Sequence, residues 1–243
     1  IVRQSAEALF VIDRSRSMHW TLEGDEPFPG ESNRWNMLRE AMGEALGRVE
    51  HLIEVGAKFF PLRVPPGTAV TNEEACTNDP GIEVPTAPYN TEAILSVFLE
   101  TIPEGGTPTA PALDMAREHL VRTRRPGFAQ YIVLATDGGP NCNASAGYPG
   151  CVCTGAPSFC EEPTGGFYNC LDDLRTITVL EETYSTHGIP VYVVGIENPE
   201  RPDLGDFLDE MAIVGGRPRP FEPGQRRFYN VREDGELEDA LQT

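Results

Sequence analysis

Residues 8–18, which read ALFVIDRSRSM, decide how the rest of the chain is interpreted. The first five are apolar without alternation, a pattern typical of a strand that is buried on both faces of a parallel sheet. The run ends abruptly at Asp13, and Ser15 and Ser17 follow at alternate positions. Because the carboxyl ends of parallel strands open onto the ligand crevice, the pattern predicts a carboxylate and two hydroxyls at that edge.

Two later segments also place oxygen-bearing side chains in turns. Residues 105–109, GGTPT, put Thr107 in a turn before a predicted helix, and the apolar run 131–135 is a second buried strand that Asp137 follows. Helix capping explains residues 13–17 equally well when they are considered alone. It does not readily explain three such turns at one sheet edge. Since hard cations prefer oxygen ligands, the three turns together predict a divalent-cation site.

The order and spacing of these segments resemble the metal-ion-dependent adhesion site of the von Willebrand factor A domain. The matching residues are Asp13, Ser15, Ser17, Thr107 and Asp137. The resemblance implies one α/β domain over residues 1–243, with a doubly wound, mostly parallel sheet flanked by helices. It also implies that the three hydroxyls contact Mg²⁺, or Ca²⁺ or Mn²⁺, while the two aspartates act partly through water. The cation would then bind an acidic side chain of a protein ligand.

One position departs from the family pattern, because Arg16 stands between the two serines where the family usually has glycine. Its long cationic side chain could repel the cation, pair with Asp13, or contact an anionic ligand. We expect Arg16 to lie at the rim of the site together with His19 and Trp20. His19 could also be a ligand or a general base, but a lone surface histidine without oriented partners is more often neither.

Two other charged groups have less specific patterns. Asp172 and Asp173 could hold a second cation, but a pair of residues at a helix N-cap explains them better. Arg122, Arg124 and Arg125 form a basic cluster before the second buried strand. A solvated loop is the simplest interpretation of that cluster.

The cysteines indicate an oxidising compartment. Five of the six lie in a Gly- and Pro-rich insertion at about residues 138–172, namely Cys142, Cys151, Cys153, Cys160 and Cys170. A long insertion without secondary structure needs cross-links, which disulfides supply outside the cytosol. Zinc is the alternative, but the insertion has neither paired C-x2-C motifs nor histidine. We expect Cys76, from another loop, to be tied to this insertion.

The composition restricts the partners. The chain has 243 residues and carries 38 Asp and Glu against 19 Lys and Arg, a formal net charge of −19. This charge disfavours nucleic acid and anionic membranes, and no apolar run approaches the roughly 20 residues that span a bilayer. The absence of such a run, together with the cysteines, favours an exported protein that is extracellular, periplasmic or at the cell surface.

Hydrophobic periodicity predicts the remaining elements. Strands are expected at 57–62, 82–84, 190–196 and 227–231. Helices are expected at 38–49, 90–102, 174–184, 204–214 and 236–241, with a further helix after Thr107 whose buried stripe is Leu113, Ala116 and Leu120. Residues 19–34 are expected to form a loop beside the metal site. Alternating strands and helices indicate a parallel sheet covered on both faces.

Three functions are compatible with these patterns. The first is an exported, non-enzymatic adhesion domain that binds a protein ligand through the cation. The second is a structural module of a surface assembly in which Arg16 has made the metal site degenerate. A metal-dependent hydrolase or phosphoryl-transfer enzyme is less favoured, because the sequence has no Gly-rich phosphate loop with lysine, no G-x-S-x-G motif and no convincing His/Asp pair near the site.

Overall fold

The computed structural model describes residues 5–231 except 66–67, 69, 147–148, 156, 162–165, 197 and 199–200. The described strands are β1 (Ser5–Asp13), β2 (Glu54–Phe60), β3 (Val84–Ala87), β4 (Phe128–Thr136), β5 (Val191–Gly195) and β6 (Tyr229–Asn230). The described helices are α1 (Arg34–Val49), α2 (Asn72–Ala75), α3 (Thr91–Leu99), α4 (Thr109–Thr123), α5 (Asp173–Glu181) and α6 (Pro202–Val214). The helix predicted at 236–241 lies outside the described residues.

The strands form one sheet in the order β3-β2-β1-β4-β5-β6. Every neighbouring pair is parallel except β2 and β3, which are antiparallel. The predicted fold class, an α/β fold with a mostly parallel sheet flanked by helices, is therefore confirmed. Strand β1 lies between β2 and β4, with Asp13 opposite Phe60 and Ile12 opposite Ala135. This register brings the ends of β1 and β4 together at one edge.

Polar and apolar residues do not alternate along β1, because the strand lies between two apolar layers. Phe10 and Ile12 belong to the cluster that α1 and α3 cover, whereas Leu9 and Val11 belong to the cluster that α4, α5 and α6 cover. All four side chains are buried. A central parallel strand buries both faces, so an unbroken apolar run is what this position requires.

The predicted elements are present within the described residues, and their ends differ for identifiable reasons. Strand β3 begins at Val84, two residues later than the start of the predicted strand 82–84. Glu83 instead turns its carboxylate to β2, where Oε2 accepts a hydrogen bond from the Phe59 amide at 3.2 Å. Helix α1 begins at Arg34 because the Asn33 side chain caps it, accepting from the Asn36 amide at 2.9 Å.

Helix α5 also differs from the helix predicted at 174–184. Leu174, the first residue of the predicted helix 174–184, is exposed, and α5 buries Thr176, Val179 and Leu180. A π-helical turn at Glu182–Thr186 follows the helix directly. In the part of the chain that the structure describes, no helix has the length and apolar character needed to cross a bilayer.

Candidate functional site

Asp13 lies at the end of β1 with its carboxylate fully buried. Oδ1 accepts a hydrogen bond from the Ser15 amide at 2.8 Å, and Oδ2 accepts one from the Thr136 hydroxyl at 2.6 Å. Burial, followed by the charge of Asp137, raises the pKa of Asp13 to about 7. The two carboxylates thus lie close enough to repel each other, and a nearby positive charge would favour their ionised forms.

A row of side-chain oxygens runs beside this carboxylate. The Ser15 and Ser17 hydroxyl oxygens are 3.1 Å apart, and the Ser17 hydroxyl donates to Asp137 Oδ1 at 2.9 Å. Oxygens that bind Mg²⁺ at about 2.0–2.1 Å and at right angles to each other are about 3 Å apart. The chemistry and spacing of these donors therefore fit a hard divalent cation.

Thr107 is brought to the same edge by contacts on both sides of its loop. The Thr107 amide donates to Asn141 Oδ1 at 2.6 Å, and the Asn141 amide donates to the Thr107 carbonyl at 2.9 Å. The Arg16 amide donates to the carbonyl of Gly105 at 3.1 Å. Gly105 has φ +95°, a conformation that glycine adopts readily. All three segments of the predicted site thus meet at one edge of the sheet.

Arg34 also belongs to this site. It falls within the predicted loop 19–34, and its sequence context indicates no role. Its Nη1 donates to Asp137 Oδ2 at 2.5 Å, and its side chain is only 2% exposed. Asp137 therefore has one oxygen toward Ser17 and the other toward Arg34. The Arg34 Nε is buried and has no hydrogen-bond acceptor among the described residues. The N-cap preference of Asn33 is the signal that could have placed Arg34 at the start of α1.

Arg16 forms ion pairs with two acidic residues, Glu104 and Glu26. Its side chain is 55% exposed, with Nη1 donating to Glu104 at 3.2 Å and Nη2 to Glu26 at 2.9 Å. The structure contains these pairs in place of the considered pairing with Asp13. His19 also lies near Glu26, with 3.8 Å between Nε2 and the carboxylate. Arg16 and His19 therefore both lie beside Glu26.

Arg14 and Lys58 lie behind the site in a buried charged cluster. Arg14 Nη2 is 2.7 Å from Asp79 and 3.5 Å from Glu83, and Lys58 Nζ is 3.4 Å from Glu83. Burial lowers the pKa of both basic groups and raises that of Glu83. This cluster attaches the loop between β2 and β3 to the strand that carries Asp13.

The cysteines form three disulfides, Cys76–Cys142, Cys151–Cys170 and Cys153–Cys160. The first joins the loop that contains α2 to the insertion, as expected for Cys76. The sulfurs of Cys151, Cys160 and Cys170 lie within 4.8 Å of one another, but each is already bonded to another sulfur. The zinc alternative is therefore wrong for these cysteines.

The site opens into a cleft with a volume of about 780 Å³. Ser17, Thr107 and Asp137 line it, and Trp20 lies along its wall. The insertion contributes further residues to the wall, among them Phe159 and Tyr168. The disulfide-bonded insertion and the oxygen row thus face the same space.

Asp172 occupies the N-cap position of α5, but its side chain caps nothing. Its carboxylate is buried, and Oδ2 has no hydrogen-bond partner in the described part of the chain. Burial and the charge of Asp173 raise the pKa of Asp172. Asp173 Oδ1 accepts from the Leu174 amide at 2.8 Å. The predicted N-cap position is therefore right, while the expected capping hydrogen bond of Asp172 is absent.

No protein-family model and no curated protein matches this sequence. Solved structures do match. The PilB minor pilin from Streptococcus sanguinis has a TM-score of 0.60 and 19% identity, over 100% of this chain and 61% of that chain. The pilus adhesin SpaC from Lactobacillus rhamnosus GG has a TM-score of 0.61 and 15% identity, over 98% of this chain and 29% of that chain.

A single domain of a third protein is also similar over most of its length. The vWF domain of the type V pili tip protein Mfa5 from Porphyromonas gingivalis has a TM-score of 0.52 and 11% identity, over 88% of this chain and 87% of that chain. This chain spans about 61% of the PilB chain and 29% of the SpaC chain. At these identities the similarity establishes the fold, which this chain shares with domains of pilus proteins.

Proposed function

We propose that this chain is an exported, non-enzymatic adhesion domain of the von Willebrand factor A type. It would bind an acidic side chain of a protein ligand through Mg²⁺, Ca²⁺ or Mn²⁺ held by Asp13, Ser15, Ser17, Thr107 and Asp137. The observation that most supports this function is the row of oxygens from Ser15 to Asp137, about 3 Å apart, of which Ser17 and Asp137 line a cleft. The shared fold with pilus proteins supports a role at the cell surface.

The charges around the oxygen row favour an anionic ligand. A divalent cation in this site would supply a positive centre that an incoming carboxylate can coordinate. The three hydroxyls of this chain add no negative charge. Asp137 already shares its charge with Arg34, at 2.5 Å, and this leaves less negative charge to offset a cation. The site would therefore retain a net attraction for carboxylates.

The cleft restricts which carboxylates can reach the oxygen row. Trp20, Phe159 and Tyr168 contribute apolar surface to its walls. Phe159 is 54% exposed, so its ring is available to a ligand. Disulfides hold the wall that the insertion forms. We therefore infer a ligand that presents its acidic side chain on a projecting segment with apolar neighbours.

A structural module of a surface assembly is the second candidate, and Arg34 is the observation that favours it. Its guanidinium already supplies a positive charge to Asp137, so the fold could be complete without a metal ion. A hydrolase has less support. His19, the histidine nearest in sequence to Asp13, is 3.8 Å from Glu26 and is not among the residues that line the cleft with Ser17 and Asp137.

Thermal unfolding tests the proposed metal site. A cation that binds only the native state stabilises it by RT ln(1 + [L]/Kd), or about 2.7 kcal/mol at a hundredfold excess over Kd. We expect Mg²⁺, Ca²⁺ or Mn²⁺ to raise the unfolding temperature relative to chelator. Ser17→Ala should remove most of this rise, because it deletes one hydroxyl and retains the Arg34–Asp137 pair. Ser96→Ala, on α3, is the matched control and should retain it. No rise with any of these cations would favour the structural module.

A further inference from the structure

A second cleft, of about 620 Å³, lies where strands β4 and β5 begin. The oxygen row lies at the other ends of the strands. The second cleft is formed by the turn between α4 and β4 and the turn before β5, and Arg124, Arg125, His187 and Arg217 line it. Eight residue steps along β4 separate Phe128, in this cleft, from Thr136, which contacts Asp13, a distance of about 26 Å. The two clefts are thus separate sites.

The local charge of this basic cleft contrasts with that of the whole molecule. The chain has a formal net charge of −19, yet no acidic residue lines the cleft among the described residues. Two carboxylates neutralise the charge of Arg125, since Nη2 is 2.7 Å from Glu54 and 3.1 Å from Glu7. Its guanidinium also lies over the Phe128 ring, 3.7 Å from the centroid. Arg125 is therefore largely a structural residue.

Arg124 is held in place by neutral groups. Its Nε donates to Gln130 Oε1 at 2.9 Å, and its Nη2 donates to the His187 carbonyl at 2.7 Å. The amide of Gln130 is itself oriented, because Nε2 donates to Glu7 and to the Leu120 carbonyl, both at 2.8 Å. Arg124 forms no ion pair with a carboxylate in the described ranges. An arginine has five N–H donors, so a fixed guanidinium here retains donors for a ligand.

Arg217 supplies a second exposed cation. Its guanidinium carbon lies 5.9 Å from the centroid of the Tyr192 ring, and no described carboxylate is within ion-pair distance. Its backbone position is set by the bridge between Gly216 and Val191, at the start of β5. Tyr192 is buried, whereas Tyr131 lines the cleft, with its ring centroid 6.1 Å from that of Tyr192. The cleft therefore combines two available guanidinium groups with aromatic surface.

We propose that this basic cleft docks an acidic segment of a partner protein, with Arg124 and Arg217 binding its carboxylates. Guanidinium groups pair with carboxylates through two parallel hydrogen bonds. Phe128, Pro126 and Pro190 also line the cleft and offer apolar surface to a peptide. A short acidic segment meets only the local charge, because the Debye length is about 8 Å at physiological salt. A nucleic acid or an anionic bilayer would extend over the acidic remainder of the surface and be repelled.

The test uses a short fluorescent oligoglutamate peptide, with chelator present so that no metal site contributes. Fluorescence anisotropy should show saturable binding that weakens with added salt. The double variant Arg124→Gln/Arg217→Gln should bind at least about tenfold more weakly, as expected for loss of charge-assisted hydrogen bonds. Arg217→Gln alone, which alters no hydrogen bond among the described residues, should show part of the loss.

Arg122→Gln is the matched control, because Arg122 belongs to the same basic run but does not line the cleft. It should bind the peptide as the unmodified chain does. Failure of the unmodified chain to bind, or equal binding by the double variant, would overturn the proposal. Binding of phosphatidylglycerol vesicles in place of the peptide would overturn it as well, since the ligand would then be a lipid surface.

Discussion

At the scale of single residues, Arg34 places a positive charge beside Asp137, within the proposed metal site. Its guanidinium is buried against Asp137. Arg34→Gln should raise the affinity for Mg²⁺, because it removes a like charge next to the cation. The same change should destabilise the metal-free protein by about 3–5 kcal/mol, as is typical when one partner of a buried ion pair is removed. Calorimetric Mg²⁺ titration and urea unfolding in chelator measure the two effects.

Arg39→Gln provides the control for this variant. Arg39 is also on α1, but it lies nearer the surface, 3.7 Å from Glu40. Neither Mg²⁺ affinity nor stability should change appreciably. If Arg34→Gln instead lowered the Mg²⁺ affinity of a folded protein, then Arg34 would act by orienting Asp137 and would not compete with the cation.

Gly56, on β2, allows the backbone of the edge strand β3 to approach closely. A Cβ at Gly56 would lie 2.6 Å from the Val84 carbonyl oxygen and 2.7 Å from the Thr86 amide nitrogen, both backbone atoms of β3. Gly56→Ala should therefore destabilise the protein by about 1–3 kcal/mol, since β3 must shift to accommodate a methyl group. Chemical denaturation measures this change. Gly47→Ala, on α1, is the control, because nothing lies within 4 Å of its added Cβ. It should stabilise the helix by up to about 1 kcal/mol.

At the scale of elements, the disulfides differ in the length of chain that they close. Cys76–Cys142 spans 66 residues and Cys153–Cys160 spans 7. The chain-entropy model gives about 4 kcal/mol for the longer loop and about 2–3 kcal/mol for the shorter. Replacing both cysteines of a pair by serine should therefore cost more stability for Cys76–Cys142. Urea unfolding of the two double variants gives the comparison, and equal losses would contradict the loop-length argument.

The sequence predicts most elements because their causes are local. The apolar run of β1 and the periodic apolar residues of α4 are visible without any partner. The start of β3 is not predicted correctly, because it depends on a tertiary contact, the hydrogen bond from the Phe59 amide to the Glu83 carboxylate. The π-helical turn at Glu182–Thr186 interrupts a pattern that periodicity continues to Tyr184. Disulfide connectivity also required the folded chain, since it depends on which loops meet at the sheet edge.

The candidate site was accessible from sequence to the extent that its residues follow strand ends. Asp13 and Asp137 follow apolar runs, and the structure places both at one edge. Arg34 was not found, because it is the first residue of a helix and reaches Asp137 only through tertiary packing. The direction of Arg16 was equally inaccessible, since its acidic partners Glu26 and Glu104 lie in separate loops.

At the scale of the whole molecule, the parallel sheet separates two clefts of different character. The oxygen row lies where the strands end, and the basic cleft lies where β4 and β5 begin. The buried strands of the sheet lie between the two clefts, and apolar layers cover both faces of these strands. A ligand in one cleft therefore does not cover the other, and the geometry allows the molecule to contact two partners at once.

The bond between Cys76 and Cys142 also has a mechanical consequence. It encloses β3, α3, the Thr107 turn, α4, β4 and Asp137 in one covalent loop. If tension acts on the polypeptide on both sides of this loop, the load passes through the bond and the enclosed segment does not extend. The 66-residue span would otherwise add about 220 Å of extended chain. Two of the three parts of the proposed metal site thus lie where a pulling force cannot draw out the backbone.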